Sequence, residues 1–173
     1  MNCLIKTAAI ILIVSGFVFA GQCISSFQNK KTEVLTETVK MISFMQNRLR
    51  YDCLPLPLLL KAMSENGKTD RLGFVSACIE KLENGMPFSA AWRESVENDR
   101  ELCRLFRNTV SFLVLFGADL GTTDLEGQLS CCEYYESFFC NELTERKEHN
   151  KKYSKLYPAL GAMLGIWAAI LII

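Results

Sequence analysis

The sequence predicts an all-α protein, a compact bundle of about six helices with a transmembrane helix on either side. Three observations carry this expectation. Apolar residues in the middle of the chain recur at helical spacing. No window there alternates strictly between apolar and polar residues with turn chemistry at both ends, as a strand would. Finally, residues 7–26 and 156–173 are apolar and carry no charge.

Each flanking run is about the length needed to cross a hydrocarbon core of roughly 30 Å as a helix. Lys6 precedes the first run while Lys30 and Lys31 follow it, and Lys151, Lys152 and Lys155 precede the second. Cytoplasmic loops collect lysine and arginine near the membrane. Both runs therefore place residues 28–155 in the cytoplasm. Lys6, the apolar stretch and Val18-Phe19-Ala20 also fit a cleavable signal peptide cut after Ala20. That reading would leave the chain outside the cell, held by its second run. In that run Gly161 and Gly165 form a small-residue stripe of the kind that lets helix backbones approach closely in lipid. Gly16 and Ala20 repeat it in the first.

Between the runs, Val34, Leu35, Val39, Ile42, Met45 and Leu49 mark a helix over residues 32–51, with Leu35, Ile42 and Leu49 a heptad apart. Leu54-Pro55-Leu56-Pro57 ends it and Pro57 can open the next, over 58–65, closed by Asn66-Gly67. A third helix over 70–83 buries Leu72, Val75, Cys78, Ile79 and Leu82 and stops at Asn84-Gly85. A fourth lies around 90–96, with Ser89 as N-cap and Trp92 as anchor. Asp99 starts a fifth that presents Leu102, Leu105, Phe106, Val110, Leu113 and Phe116 inward. After Gly117 and Gly121, Thr123 and Glu126 read as a capping box for a last helix that runs on toward Pro158.

Composition and motifs exclude several kinds of chemistry. The formal net charge is zero, so nothing provides the basic surface that nucleic acid requires. Asn66-Gly67-Lys68-Thr69 resembles the end of a phosphate loop, but Ala62 stands where the first glycine belongs and a helix precedes it. There are eight cysteines, no Cys-x-x-Cys pair, and one histidine, His149, so no tetrahedral zinc set is predicted. The cysteines read as reduced, small hydrophobes. No catalytic, cofactor or metal site is expected, and the chain is read as a protein that works by binding other proteins.

Charge points to where. Between Arg107 and Arg146 there is no lysine or arginine, while Asp119, Asp124, Glu126, Glu133, Glu136 and Glu142 all fall there. Base then returns in Arg146, Lys147, Lys151, Lys152 and Lys155. Acid suits the N-terminal end of a helix dipole, and base at the other end suits anionic lipid headgroups.

Four groups of residues are familiar: Tyr51 with Pro55-Leu56, Glu83-Asn84-Gly85 with Ala91-Trp92, the set Gly117, Leu120-Gly121, Asp124 and Gln128, and a lysine-rich entry to a terminal run containing Tyr153, Gly161 and Gly165. Together they resemble the stage III sporulation protein AB family of endospore-forming bacteria, itself similar to the platform (F) proteins of type II secretion and type IV pilus machines. The family tends to carry Glu-Ile before the tyrosine, where Arg48-Leu49 stand here. The resemblance implies a membrane component of the channel between mother cell and forespore. It would dock a cytoplasmic secretion-type ATPase, stage III sporulation protein AA, alongside other channel proteins, with self-association left open. The motif at the start of the base-free stretch marks Gly117, Gly121, Asp124 and Gln128, and the stretch itself adds Glu133 and Glu136, as the candidate partner-binding residues. The alternative is a secreted, C-terminally anchored binding domain with disulfides.

Overall fold

The computed structural model describes residues 2–65, 72–106, 109–153, 156, 159–160 and 163, with the side chains of 2–14 and 17–18 left out. Among the described residues the chain is helical and contains no strand. Its helices are α1 (Asn2–Asp52), α2 (Leu56–Glu65), α3 (Gly73–Glu83), α4 (Phe88–Asn98), α5 (Arg100–Leu105), α6 (Val110–Leu120) and α7 (Leu125–Tyr153). Two compact units divide the chain: Glu33–Leu143, and Met1–Thr32 together with Thr144–Ile173.

The first apolar run and the predicted helix over 32–51 lie on one helix, because α1 runs unbroken to Asp52. No proline occurs before Pro55, so nothing in the sequence stops it. It ends at Cys53, which adopts a left-handed conformation (φ 47°) ahead of Leu54-Pro55. Among the described residues no helix is long and apolar enough to cross a membrane. Half of the side chains of residues 7–26 lie outside that description, as does most of 156–173, including Gly161 and Gly165.

In the Glu33–Leu143 unit, α1 buries the predicted stripe: Leu35, Ile42, Met45 and Leu49 are all inaccessible to solvent or nearly so. Thr38 is the polar residue within that stripe, and its hydroxyl donates to the Val34 carbonyl at 2.9 Å, which satisfies it locally. α4 is the hub, packed against α3, α5 and α6. Trp92 sits at its centre, fully buried. Phe74 of α3 meets its ring edge-on at 5.2 Å and Phe116 of α6 at 5.8 Å. Phe116 passes the contact on to Tyr135 of α7 at 5.3 Å. Such aromatic pairs add about 0.5–1.5 kcal/mol each beyond their burial.

Several local expectations change. The single fifth helix is two: α5 ends at Leu105, Phe106 leaves helical geometry (φ −138°, ψ 52°), and α6 begins at Val110. Periodicity misses this break because both pieces bury one continuous face, through Leu102, Leu105, Leu113 and Phe116. Asp99 caps α5 as expected, its Oδ1 accepting from the N–H of Glu101 at 3.0 Å and of Leu102 at 2.9 Å. Ser89 does not cap α4. Pro87 holds that position and the helix starts at Phe88, so the Ala90 and Ala91 N–H groups donate to the Pro87 carbonyl. Within α3, Phe74 is buried instead of Ile79 and Leu82, which are only half-buried.

Trp92→Ala is expected to cost about 3–5 kcal/mol, because it empties the site that three helices share. Denaturant unfolding of the purified chain measures it. Retention of the wild-type midpoint would mean that Trp92 does not anchor the fold.

Candidate partner-docking surface

Among the described residues, a small pocket of about 10 Å³ lies among Leu35, Thr38, Phe106, Leu113 and Phe139, room for one water at most. A shallow, open depression of about 580 Å³ lies along α1 beside Met63, lined by Glu37, Lys40, Ser43, Phe44 and Asn47. Function is therefore sought on the outer surface, beginning with the α6–α7 hairpin, which holds five of the six candidate residues along its turn and second helix and Gly117 on its first.

Gly117 lets α6 lie directly on α4. A Cβ built there would come within 2.0 Å of Trp92 Cδ1, so no side chain fits without moving the indole. The indole Nε1 donates to the Leu113 carbonyl at 2.8 Å, tying the ring to the turn that precedes the glycine. A Cβ built at Gly121 would meet Ser89 at 3.3 Å and Phe88 at 3.4 Å, both on α4. Two close approaches, one turn apart, thus hold the C-terminal part of α6 against α4.

The turn that follows is held by its own side chains. Asp124, not Thr123, is the N-cap of α7: its Oδ1 accepts from the Gly127 N–H at 3.0 Å, and its carbonyl accepts from the Gln128 N–H at 2.8 Å. The Thr123–Glu126 capping box fails because the third helical position is Gly127, which has no side chain to reach back. Thr123 instead donates its hydroxyl to the Asp119 carbonyl at 3.0 Å. Gln128 closes the turn, its Nε2 donating to the Leu120 and Thr123 carbonyls at 3.1 and 3.2 Å. Gly117, Gly121, Asp124 and Gln128 therefore set the angle between α6 and α7.

The acids are deployed unequally. Glu133 is exposed, as is Glu126 two turns earlier on the same side of α7. Glu136 is half-buried and accepts a hydrogen bond from the Ser43 hydroxyl of α1. Asp119 accepts from the Tyr135 hydroxyl at 2.9 Å. Burial raises the Tyr135 pKa above the usual phenol range, and the Asp119 hydrogen bond and charge add to the shift. Burial likewise lifts the Cys131 thiol to about 11, helped by Asp119, and the Cys132 thiol to about 12. Both stay protonated at neutral pH.

Beside these acids lies an apolar ridge that sequence reasoning missed. Phe112 of α6 stacks on Phe138 of α7 with ring centroids 4.3 Å apart. Leu115 and Tyr134 are 51% and 64% exposed, far more than large apolar side chains in a packed helix face. The signal was present: Val110-Ser-Phe-Leu-Val-Leu-Phe is more apolar than one inward stripe requires, and Phe112 and Leu115 fall off that stripe.

Gly117→Ala is expected to destabilise the chain by about 1–3 kcal/mol through overpacking against Trp92. In a Trp92→Ala background the same change costs less, because the clashing ring is gone. Equal costs in both backgrounds, measured by denaturant unfolding, would contradict the Gly117–Trp92 contact.

Comparison with known proteins fits this arrangement. The family model described as stage III sporulation protein AB matches residues 6–173. No curated protein and no solved structure matches. A match along nearly the whole length, through α4, the α6–α7 hairpin and both flanking runs, establishes that the chain belongs to the stage III sporulation protein AB family.

Proposed function

We propose that this chain is a membrane-seated platform of the channel between mother cell and forespore. Its helical core faces the cytoplasm, and the outer side of α7 docks a secretion-type ATPase, stage III sporulation protein AA. The observation that carries the docking reading is the stretch from Asp119 to Glu142, which bears acids and no base and lies on a hairpin whose angle is fixed by buried contacts. A rigid, single-sign surface suits steering and specific capture of a basic partner.

The second unit supports the membrane reading. There Asn150 of α7 donates to Thr32 Oγ1 of α1 at 2.9 Å, joining the two helices side by side. Lys30 and Lys31 on α1 and Arg146, Lys147, Lys151 and Lys152 on α7 belong to this unit. The Lys31 pKa is lowered, first by burial and then by the positive charge of Arg146. Base gathered where two apolar runs begin fits the cytoplasmic leaflet with its anionic headgroups. Residues 7–26 and 156–173 would then span the bilayer.

Topology is tested with a membrane-impermeant thiol reagent on intact cells. Cys53 and Cys140 are exposed and are the informative reporters. Cys78 is not, since it is buried and burial lifts its thiol to about 11. Cys53 and Cys140 should label only after lysis. Labelling before lysis, or a mature N-terminus at Gly21, overturns a cytoplasmic core.

Docking is tested with Glu126→Lys/Glu133→Lys. Both side chains are exposed, so stability should change by about 0.5 kcal/mol or less. Glu136→Lys is a poorer choice because it removes the acceptor of Ser43. Binding of the purified ATPase should fall by about tenfold, and the wild-type affinity should weaken as salt rises. Wild-type affinity in the reversed chain would leave α7 with a merely solvated acidic face.

A further inference from the structure

We infer that the ridge formed by Phe112, Leu115, Tyr134 and Phe138 is a docking site for an amphipathic helix of another protein. That helix would be apolar on one side and carry lysine or arginine at both ends of its apolar stripe. The inference deepens the platform reading and rests on it for one point, that the occupant is a protein of the same channel.

The four side chains fall along the α6–α7 seam, Phe112 and Leu115 three apart on α6 and Tyr134 and Phe138 four apart on α7. Phe112 and Phe138 stack at one end of the α6–α7 seam. At the other end the Tyr135 hydroxyl donates to Asp119, and the Tyr134 ring leans edge-on against Tyr135 at 5.1 Å. Leu115 lies one turn from Phe112 and one turn from Asp119 on α6, between the two ends along that helix. Isolated exposed apolar residues are ordinary, but adjoining ones mark interaction surfaces. Tyr134 and Phe112 also have the character of interface anchors, large and rigid with few torsions to immobilise.

Charge decides the occupant. Asp119 follows Leu115 by one helical turn on α6, and Glu142 follows Phe138 by one turn on α7. The ridge therefore has a carboxylate at each end. Asp119 is level with Tyr135, and Tyr135 to Glu142 spans two turns, about 10 Å at 1.5 Å per residue. A second copy of this chain across a two-fold would bring like carboxylates together, so self-association through this face is disfavoured. An anionic bilayer would be repelled by the same two charges. A helix of about three turns fits, with basic residues seven apart and apolar residues between them at spacings of three and four.

The test places the photo-crosslinker p-benzoylphenylalanine at Leu115, at Tyr134 and, as a control, at exposed Lys61 of α2, in the full chain in sporulating cells. Positions 115 and 134 should form an adduct with one helical segment of the stated pattern, and position 61 should not. Asp119→Asn/Glu142→Gln should lower the adduct yield by about tenfold; asparagine keeps an oxygen for the Tyr135 hydroxyl, so the hairpin is preserved. An adduct with a second copy, with lipid alone or with an acidic segment overturns the inference, as does no adduct. If the segment has the stated pattern and Glu126→Lys/Glu133→Lys leaves ATPase binding unchanged, the ridge assignment stands and the ATPase reading fails. If Glu126→Lys/Glu133→Lys abolishes ATPase binding while positions 115 and 134 form no adduct, the ATPase reading stands and the ridge assignment fails.

Discussion

The indole of Trp92 lies in the space that a side chain at Gly117 would need, and its N–H bonds the Leu113 carbonyl one turn before that glycine. This contact sets how near α6 comes to α4, and the consequences propagate. With α6 drawn in, Gly121 lies so near α4 that a Cβ there would meet Ser89 and Phe88, and the chain turns after it. The turn is then closed by its own side chains: Asp124 for the first N–H groups of α7, Gln128 for two carbonyls, Thr123 for the end of α6. Tyr135 and Phe116 carry the same packing into α7. The outer surface of the hairpin thus inherits its geometry from a buried tryptophan on a different helix.

Sequence patterns read the helices well where burial has one period. The stripe Leu35, Ile42, Met45 and Leu49 is buried as spacing requires, Asn84-Gly85 ends α3 with Gly85 at φ 84°, and Asp99 caps α5. Patterns failed where two local solutions share one signature. A threonine followed by aspartate offers two N-caps, and Asp124 prevails because its carboxylate reaches the Gly127 N–H while Thr123 bonds backward. The kink at Phe106 leaves no periodic trace, since a helix that breaks and resumes can still bury the same side.

The candidate site was legible in a different sense. The residues singled out by motif are where the structure turns, and Glu133 and Glu136 lie on the helix that the turn aims. What spacing could not tell was that four of the six act on this chain's own backbone and packing, or that Glu136 bonds Ser43. Nor does a one-dimensional pattern reveal the ridge, since Phe112 and Phe138 become neighbours only when α6 and α7 fold back on each other. An apolar residue off the inward stripe is ambiguous until the adjacent helix is in place.

The polarity of α7 joins these features into one device. Its first half combines acids with exposed aromatics and follows a turn whose angle is fixed; its last part, from Arg146 to Lys152, is basic and belongs with Lys30 and Lys31 of α1. Opposite charges in two blocks serve two different surroundings better than a mixed distribution would. Base adjoining apolar runs favours an anionic interface, whereas acid at that place would be repelled from it. With the proposed membrane seat, acid far along the same helix would keep the aromatic ridge from being drawn to the lipid. On this argument the charge order of α7 does more than complement its dipole. Under the proposed function, it would separate a membrane-facing end from a partner-facing end within a single helix, and inverting either block should compromise one role without the other.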